Sequence, residues 1–111
     1  MSKRDPLILL QDMLTAMERI LKYCDNMDKE TFLHDDKTVD ASVRNIEIIG
    51  EAAARMPTDY TSQYPKIPWQ KMAGMRNRIV HDYFGIDLEI IWQVISHNIP
   101  ELKQQIEKLR N

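Results

Sequence analysis

Apolar residues in this chain recur every three or four positions in one segment after another, and that spacing constrains the fold more than any other feature. Leu7, Leu10, Leu14, Met17, Leu21 and Cys24 alternate steps of three and four, which puts them on one face of an α-helix. Asp5-Pro6 opens the run as an N-cap residue followed by proline at the first helical position. The spacing predicts an amphipathic helix from residue 6 to about residue 26.

The pattern continues down the chain. A short helix capped by Asp28 is expected from Lys29 to about His34. A long one is expected from Asp36 to about Met56, with Val43, Ile46, Ile49, Gly50 and Ala53 on its apolar face and Pro57 at its end. PTDYTSQYPKIP is rich in turn formers and reads as a loop with one helical turn at most. Pro68 restarts a helix through Trp69 to about Asp82 or Tyr83, ended near Gly85. Asp87 caps a last helix whose stripe runs through Leu88, Ile91, Ile95, Ile99, Leu102, Ile106 and Leu109. Pro100 lies inside that stripe and should kink or split the helix near Asn98, because proline removes a backbone donor and crowds the preceding turn. No convincing period-two segment competes. The expected fold is an all-α, antiparallel up-and-down bundle of four main helices plus short pieces, forming one domain over residues 1–111.

Composition narrows the function classes. With 43% hydrophobic and 29% charged residues the chain is that of an ordinary globular protein. Cys24 is the single cysteine, which rules out an internal disulfide or a cysteine-based zinc site and suits a reducing, cytoplasmic setting. The apolar run Leu7–Leu10 is too short for a signal peptide, and no stretch has the length of a membrane span. The net charge of −2 argues against broad, non-specific nucleic-acid binding. One region differs from that average. Between Asp59 and Asp82 there is no acidic residue, while Lys66, Lys71, Arg76 and Arg78 all fall there, which permits a small anion site.

The chemistry-bearing segment is MRNRIVHDYFGID, residues 75–87. At about 100° per residue, Trp69, Met72, Ala73, Arg76, Val80 and Tyr83 share one stripe, so Arg76 is expected to interrupt an apolar face and to need a counter-charge or ligand there. Asn77 and His81 are one turn apart, so the amide can orient the imidazole. Arg76 and His81 are five residues apart, roughly 140° around the axis; the long arginine side chain or a second subunit can close that gap. Histidine moves protons near neutral pH, and arginine offers a planar charge for a phosphate and for the charge that builds up as phosphorus is attacked. RNA carries its own nucleophile in the 2′-OH, so the pair suffices for internal transesterification without a metal. The residues alone leave a second reading open: a capped helix end, with Arg76 paired to Glu51 and His81 satisfied by backbone.

The stretch GMRNRIVHDYFGID resembles the motif of the HepT-like branch of the HEPN superfamily: here Arg76, Asn77, His81 and Tyr83, in order and at the family's spacing. VRNIEIIGEAAARM upstream resembles the family's second helix, and Asp87-Leu88-Glu89 with Trp92 resembles its last, so the likeness runs along essentially the whole chain. The resemblance implies a homodimer whose two Arg–His motifs line one interface cleft. It implies a metal-independent endoribonuclease, without a cofactor, acting as the toxin of a toxin–antitoxin pair. The implied partner is a minimal nucleotidyltransferase antitoxin that transfers AMP to the motif tyrosine, here Tyr83. A different class of function also fits: a non-catalytic helical dimer that serves as the nucleotidyltransferase's binding partner. RNA binding by wild type and His81→Ala separates the two.

Other candidates are weaker. Glu30, His34, Asp35 and Asp36 could suggest a metal, but no second histidine supports one, and capping explains the aspartates. His97 reads as a solvated residue, and Cys24 as a core thiol on an apolar stripe. Arg44 and Glu51 are expected to pair with each other or to support Arg76 from the neighbouring helix.

Overall fold

A computed structural model describes residues 5–79 and 87–110. Helix α1 spans Pro6–Tyr23, α2 Lys29–Leu33, α3 Asp36–Arg55, α4 Thr58–Thr61, α5 Trp69–Ala73, α6 Met75–Ile79, α7 Leu88–Gln93 and α8 Ile99–Arg110. A single π-helical turn, Val94–Asn98, joins α7 to α8. Among the described residues there is no strand, and the architecture is the expected all-α bundle.

The caps explain the boundaries. Asp5, Asp28, Asp35 and Asp87 each accept from a backbone N–H in the first turn of α1, α2, α3 and α7, at 2.8 to 3.1 Å. These carboxylates satisfy donors that a helix start otherwise leaves unpaired. At the other end of α1 the chain turns away through Asn26, whose φ of 62° lies in the left-handed region that asparagine tolerates.

Helices α1 and α3 form the main pair; α8 packs on α1, and α5 and α6 pack on α3. Leu10, Met13, Met17, Ile20, Ile46, Ile49, Ile79, Ile91, Ile99 and Ile106 are fully enclosed between them. The buried face of α1 is broader than the expected stripe: Met13 and Ile20 join Leu10, Leu14, Met17 and Cys24, while Leu7 at the helix start is 54% exposed. Phe32 on the five-residue α2 is completely buried, its ring centroid 5.3 Å from that of Trp92 on α7. That contact, with the Lys29–Glu89 ion pair, fastens α2 to the last helical arm. Cys24 is buried, its Sγ 3.7 Å from Ser42 Oγ, and burial pushes its thiol above the ordinary value.

Helix continuity is broken at two points, one expected and one not. The helix expected from Trp69 onward is interrupted at Gly74, which closes α5 with φ −91° and ψ 4° before α6 begins. Here α5 lies so close to α3 that a Cβ on Gly50 would come within 3.3 Å of the carbonyl oxygens of Met72 and Ala73. Gly50 is therefore the point of backbone contact that seats the α5–α6 arm on α3. The irregularity expected from Pro100 is present: the last helical run is divided by the π-helical turn that ends at Asn98, and α8 starts at Ile99. The Ile99 N–H donates to the Val94 carbonyl, one residue further back than in an α-helix, and the widened turn lets the chain pass into α8 with proline in its first turn, where no donor is needed.

Candidate functional site

Helix α6 has three differently directed flanks, set by about 100° per residue. Met75 and Ile79 are buried and, with Met72 of α5, form its inward side. Arg76 leaves toward α3, Arg78 toward α8, and Asn77 lies exposed between them. The expectation that Arg76 interrupts a buried face is corrected. The inward stripe is Met72, Met75 and Ile79, and the Arg76 side chain is 56% exposed.

Its partner is Glu47, one turn before the Glu51 considered from sequence. Arg76 Nε lies 3.4 Å from Glu47 Oε2. Glu51 is engaged elsewhere: its Oε1 is 2.8 Å from Arg55 Nη2, an i,i+4 pair on the outer face of α3. Arg44, exposed on the same face, has no ion-pair partner among the described residues, so the expected Arg44–Glu51 pair is not formed. Glu47 was missed from sequence. Its signal was its position on the ridge Arg44–Glu47–Glu51, three residues after one candidate and four before the other.

The Glu47 contact is at Nε, and neither Nη group makes a hydrogen bond among the described residues. A guanidinium held this way keeps its planar fork for a bidentate oxyanion ligand. His81 and Tyr83 lie outside the described residues, as does Val80. Their flanks are fixed: the Asp87 N–H donates to the Ile79 carbonyl at 2.8 Å, so the residues before and after the 80–86 stretch sit side by side next to α6. Among the described residues no cluster of three or more candidate metal ligands occurs. His34 instead lies 2.9 Å through Nδ1 from the Glu30 carbonyl, and Asp35 caps α3. His97 is exposed on the π-turn.

The model of the ribonuclease HepT-like family matches residues 13–109, which include α3, the Arg76–His81 segment and both closing helices. The chain belongs to the HepT-like ribonuclease family. It is 42% identical over 108 residues, 97% of this chain and 98% of the other, to a Thermococcus cleftensis protein named "Probable ribonuclease HepT". Over 109 residues, 98% of this chain and 90% of the other, it is 38% identical to a protein of Methanocaldococcus jannaschii named "Putative RNase". A shorter match, 37% identity over 41 residues, links it to the "mRNA nuclease HepT" of Shewanella oneidensis, covering 37% of this chain and 31% of that one. No solved structure matches the chain. Membership in a ribonuclease family makes the free face of Arg76 a candidate phosphate contact. No helix of the described residues is long and apolar enough to cross a membrane.

Proposed function

We propose that this chain, working as one unit over residues 1–111, is a metal-independent endoribonuclease and the toxin of a toxin–antitoxin pair. Arg76 and His81 carry the cleavage, and adenylylation at Tyr83 switches it off. The observation that supports the reading best is the state of Arg76. It is exposed, steadied through Nε by Glu47, and its Nη groups are unused among the described residues.

In this reading the Arg76 fork holds the non-bridging oxygens of the scissile phosphate and stabilises the charge that grows on them. The 2′-OH of the preceding ribose attacks phosphorus as the bond to the 5′-oxygen breaks, leaving a 2′,3′-cyclic phosphate and a 5′-OH. One imidazole takes the 2′-OH proton and a second donates to the leaving oxygen. A single chain brings one motif histidine, so a homodimer, with His81 of the partner subunit across the cleft, completes the acid–base pair. Asn77, four residues before His81 in the sequence, orients the imidazole, and Arg44 and Glu51 shape the neighbouring charge on α3. For silencing, the Tyr83 phenol oxygen attacks the α-phosphate of ATP on a minimal nucleotidyltransferase antitoxin, and pyrophosphate leaves. The AMP adds bulk and negative charge beside His81, where an RNA phosphate has to enter. The expected setting is the cytoplasm.

The test expresses wild type and the Arg76→Ala/His81→Ala double variant without any partner gene, following growth and total RNA, with protein mass confirming that Tyr83 is unmodified. Growth arrest with RNA ending in cyclic phosphate, for wild type alone and undiminished by EDTA in purified form, supports the reading. Equal harmlessness of both proteins sinks it and leaves the non-catalytic partner of a nucleotidyltransferase as the better account.

A further inference from the structure

On the flank of α6 opposite Arg76 lies a cleft of about 280 Å³ between α5–α6 and α8. Lys66 from the loop, Lys71 from α5 and Arg78 from α6 line one side; Asn98, Glu101 and Gln105 line the other. Three cations against one carboxylate give this cleft a formal charge of +2 in a chain whose net charge is −2. Among the described residues none of the three cations has an ion-pair partner. Arg78 Nη1 does donate to Asn98 Oδ1 at 3.4 Å, which holds the guanidinium at the cleft. Met75 and Leu102, both largely buried, add apolar atoms to a mostly polar lining. Like charges gathered without counter-ions around a concave surface repel one another, and an anion relieves that repulsion.

We infer that the Lys66–Lys71–Arg78 cleft is a second phosphate subsite, which holds a phosphate of single-stranded RNA next to the one at Arg76. Two residues along a helix of about 10–12 Å diameter separate Arg76 from Arg78, so a strand laid across exposed Asn77 meets both flanks. The cleft takes the phosphate on its cations, sets the nucleoside against Met75 and Leu102, and offers Asn98 and Gln105 to its polar edges. Three cations gathered in a cleft of this volume suit one strand rather than a duplex. Glu101 opposes the charge and limits loose anion binding. The inference rests on the ribonuclease reading for its ligand, but it can be tested without cleavage.

The probe is a labelled single-stranded RNA with every ribose 2′-O-methylated, so that internal transesterification is impossible, titrated with full-length protein across a salt series. Lys66→Gln/Lys71→Gln/Arg78→Gln is expected to weaken binding about tenfold, as the loss of charge-assisted hydrogen bonds does. The slope of log K against log salt should fall by about 0.7 for each phosphate that the variant no longer holds. Glu101→Gln should tighten binding a few-fold, an opposite effect that misfolding cannot produce. RNA that stays bound when ATP or inorganic phosphate is added in excess would support an RNA subsite. Displacement of the RNA by ATP at comparable concentration would make the cleft a free-nucleotide site and overturn the inference. So would failure of wild type to bind the RNA, unchanged affinity in the triple variant, or loss of only the nucleotidyltransferase complex. If wild type binds but never cleaves natural RNA, the ribonuclease reading fails while the triple variant still decides the cleft.

Discussion

Arg76→Ala separates structural from functional accounts of the motif, because the geometry assigns the side chain little share in stability. Arg76 Nε and Glu47 Oε2 are 3.4 Å apart, with the two side chains 56% and 38% exposed. At the dielectric of water that separation is worth about 1 kcal/mol before screening, and ordering two long side chains offsets much of it. The methylene stem covers little of the core, since Met72, Met75 and Ile79 fill the inward side of this arm. Removing the pair should therefore cost well under about 1 kcal/mol, a shift of less than roughly 4 °C in Tm for a domain of this size. Cleavage should respond on another scale. Losing a preorganised charge that stabilises a developing oxyanion typically costs about 10²–10³ in kcat. The assay pairs a thermal melt with the initial rate of cleavage of a single-stranded RNA, on unmodified protein. A melt lowered by about ten degrees, far beyond what an exposed pair is worth, would show that Arg76 is a structural anchor. An unchanged rate in a normally folded variant would remove it from the chemistry.

Four further outcomes follow from the same geometry. Glu47→Ala should lower kcat/KM about tenfold by releasing the guanidinium, with little change in Tm; Glu47→Gln, whose amide oxygen can still accept from Nε, should recover most of the rate. Gly50→Leu should destabilise by at least about 1–3 kcal/mol in denaturant melts, because the Met72 and Ala73 carbonyls already lie 3.3 Å from where a Cβ would stand; stability equal to wild type would mean that α5 is not seated there. Asn45→Leu should raise the denaturation midpoint, since Asn45 is 5% exposed with Oδ1 unpartnered among the described residues, and such a buried oxygen costs about 1–3 kcal/mol. Burial, the largest influence on Cys24, holds its thiol above the ordinary 9.0 in the folded chain. The unfolded chain therefore loses that proton first, so its contribution is intact below pH 9.0 and lost as pH rises through the folded value; stability should fall less steeply above that pH in Cys24→Ala.

Sequence periodicity recovered the helices whose boundaries carry local chemistry. The aspartate caps, Pro6 at the start of α1 and Pro57 after α3 all act within a few residues of where they stand. What it missed depends on packing between elements. Phe32 belongs to a helix too short to show a stripe, and its inside comes from the elements α2 packs on, α3 and α7 with Trp92. The inward side of the α5–α6 arm differs from expectation because apolar residues at 72, 73, 75, 79 and 80 spread over a broad arc of the helix, about 160° at 100° per residue. A stripe through Ala73 and Arg76 therefore looked as good as one through Met75 and Ile79. Gly50 decided between them by drawing the Met72 and Ala73 carbonyls against α3.

That choice of rotation has a chemical consequence. Had Arg76 faced the core, its charge would have required a fully buried partner, and neither group could then have met a substrate without a costly opening. Turned outward, it needs only a steadying contact, and Glu47 supplies one at Nε, which leaves the end-on Nη1–Nη2 approach for a phosphate. The same rotation carries Arg78 to the opposite flank, over the cleft shared with Lys66 and Lys71. The two arginines of Arg76-Asn77-Arg78 thus address two different surfaces of one short helix, with Asn77 between them. Their spacing by two is what lets five residues of helix present cations on both sides while Met75 and Ile79 hold it in place.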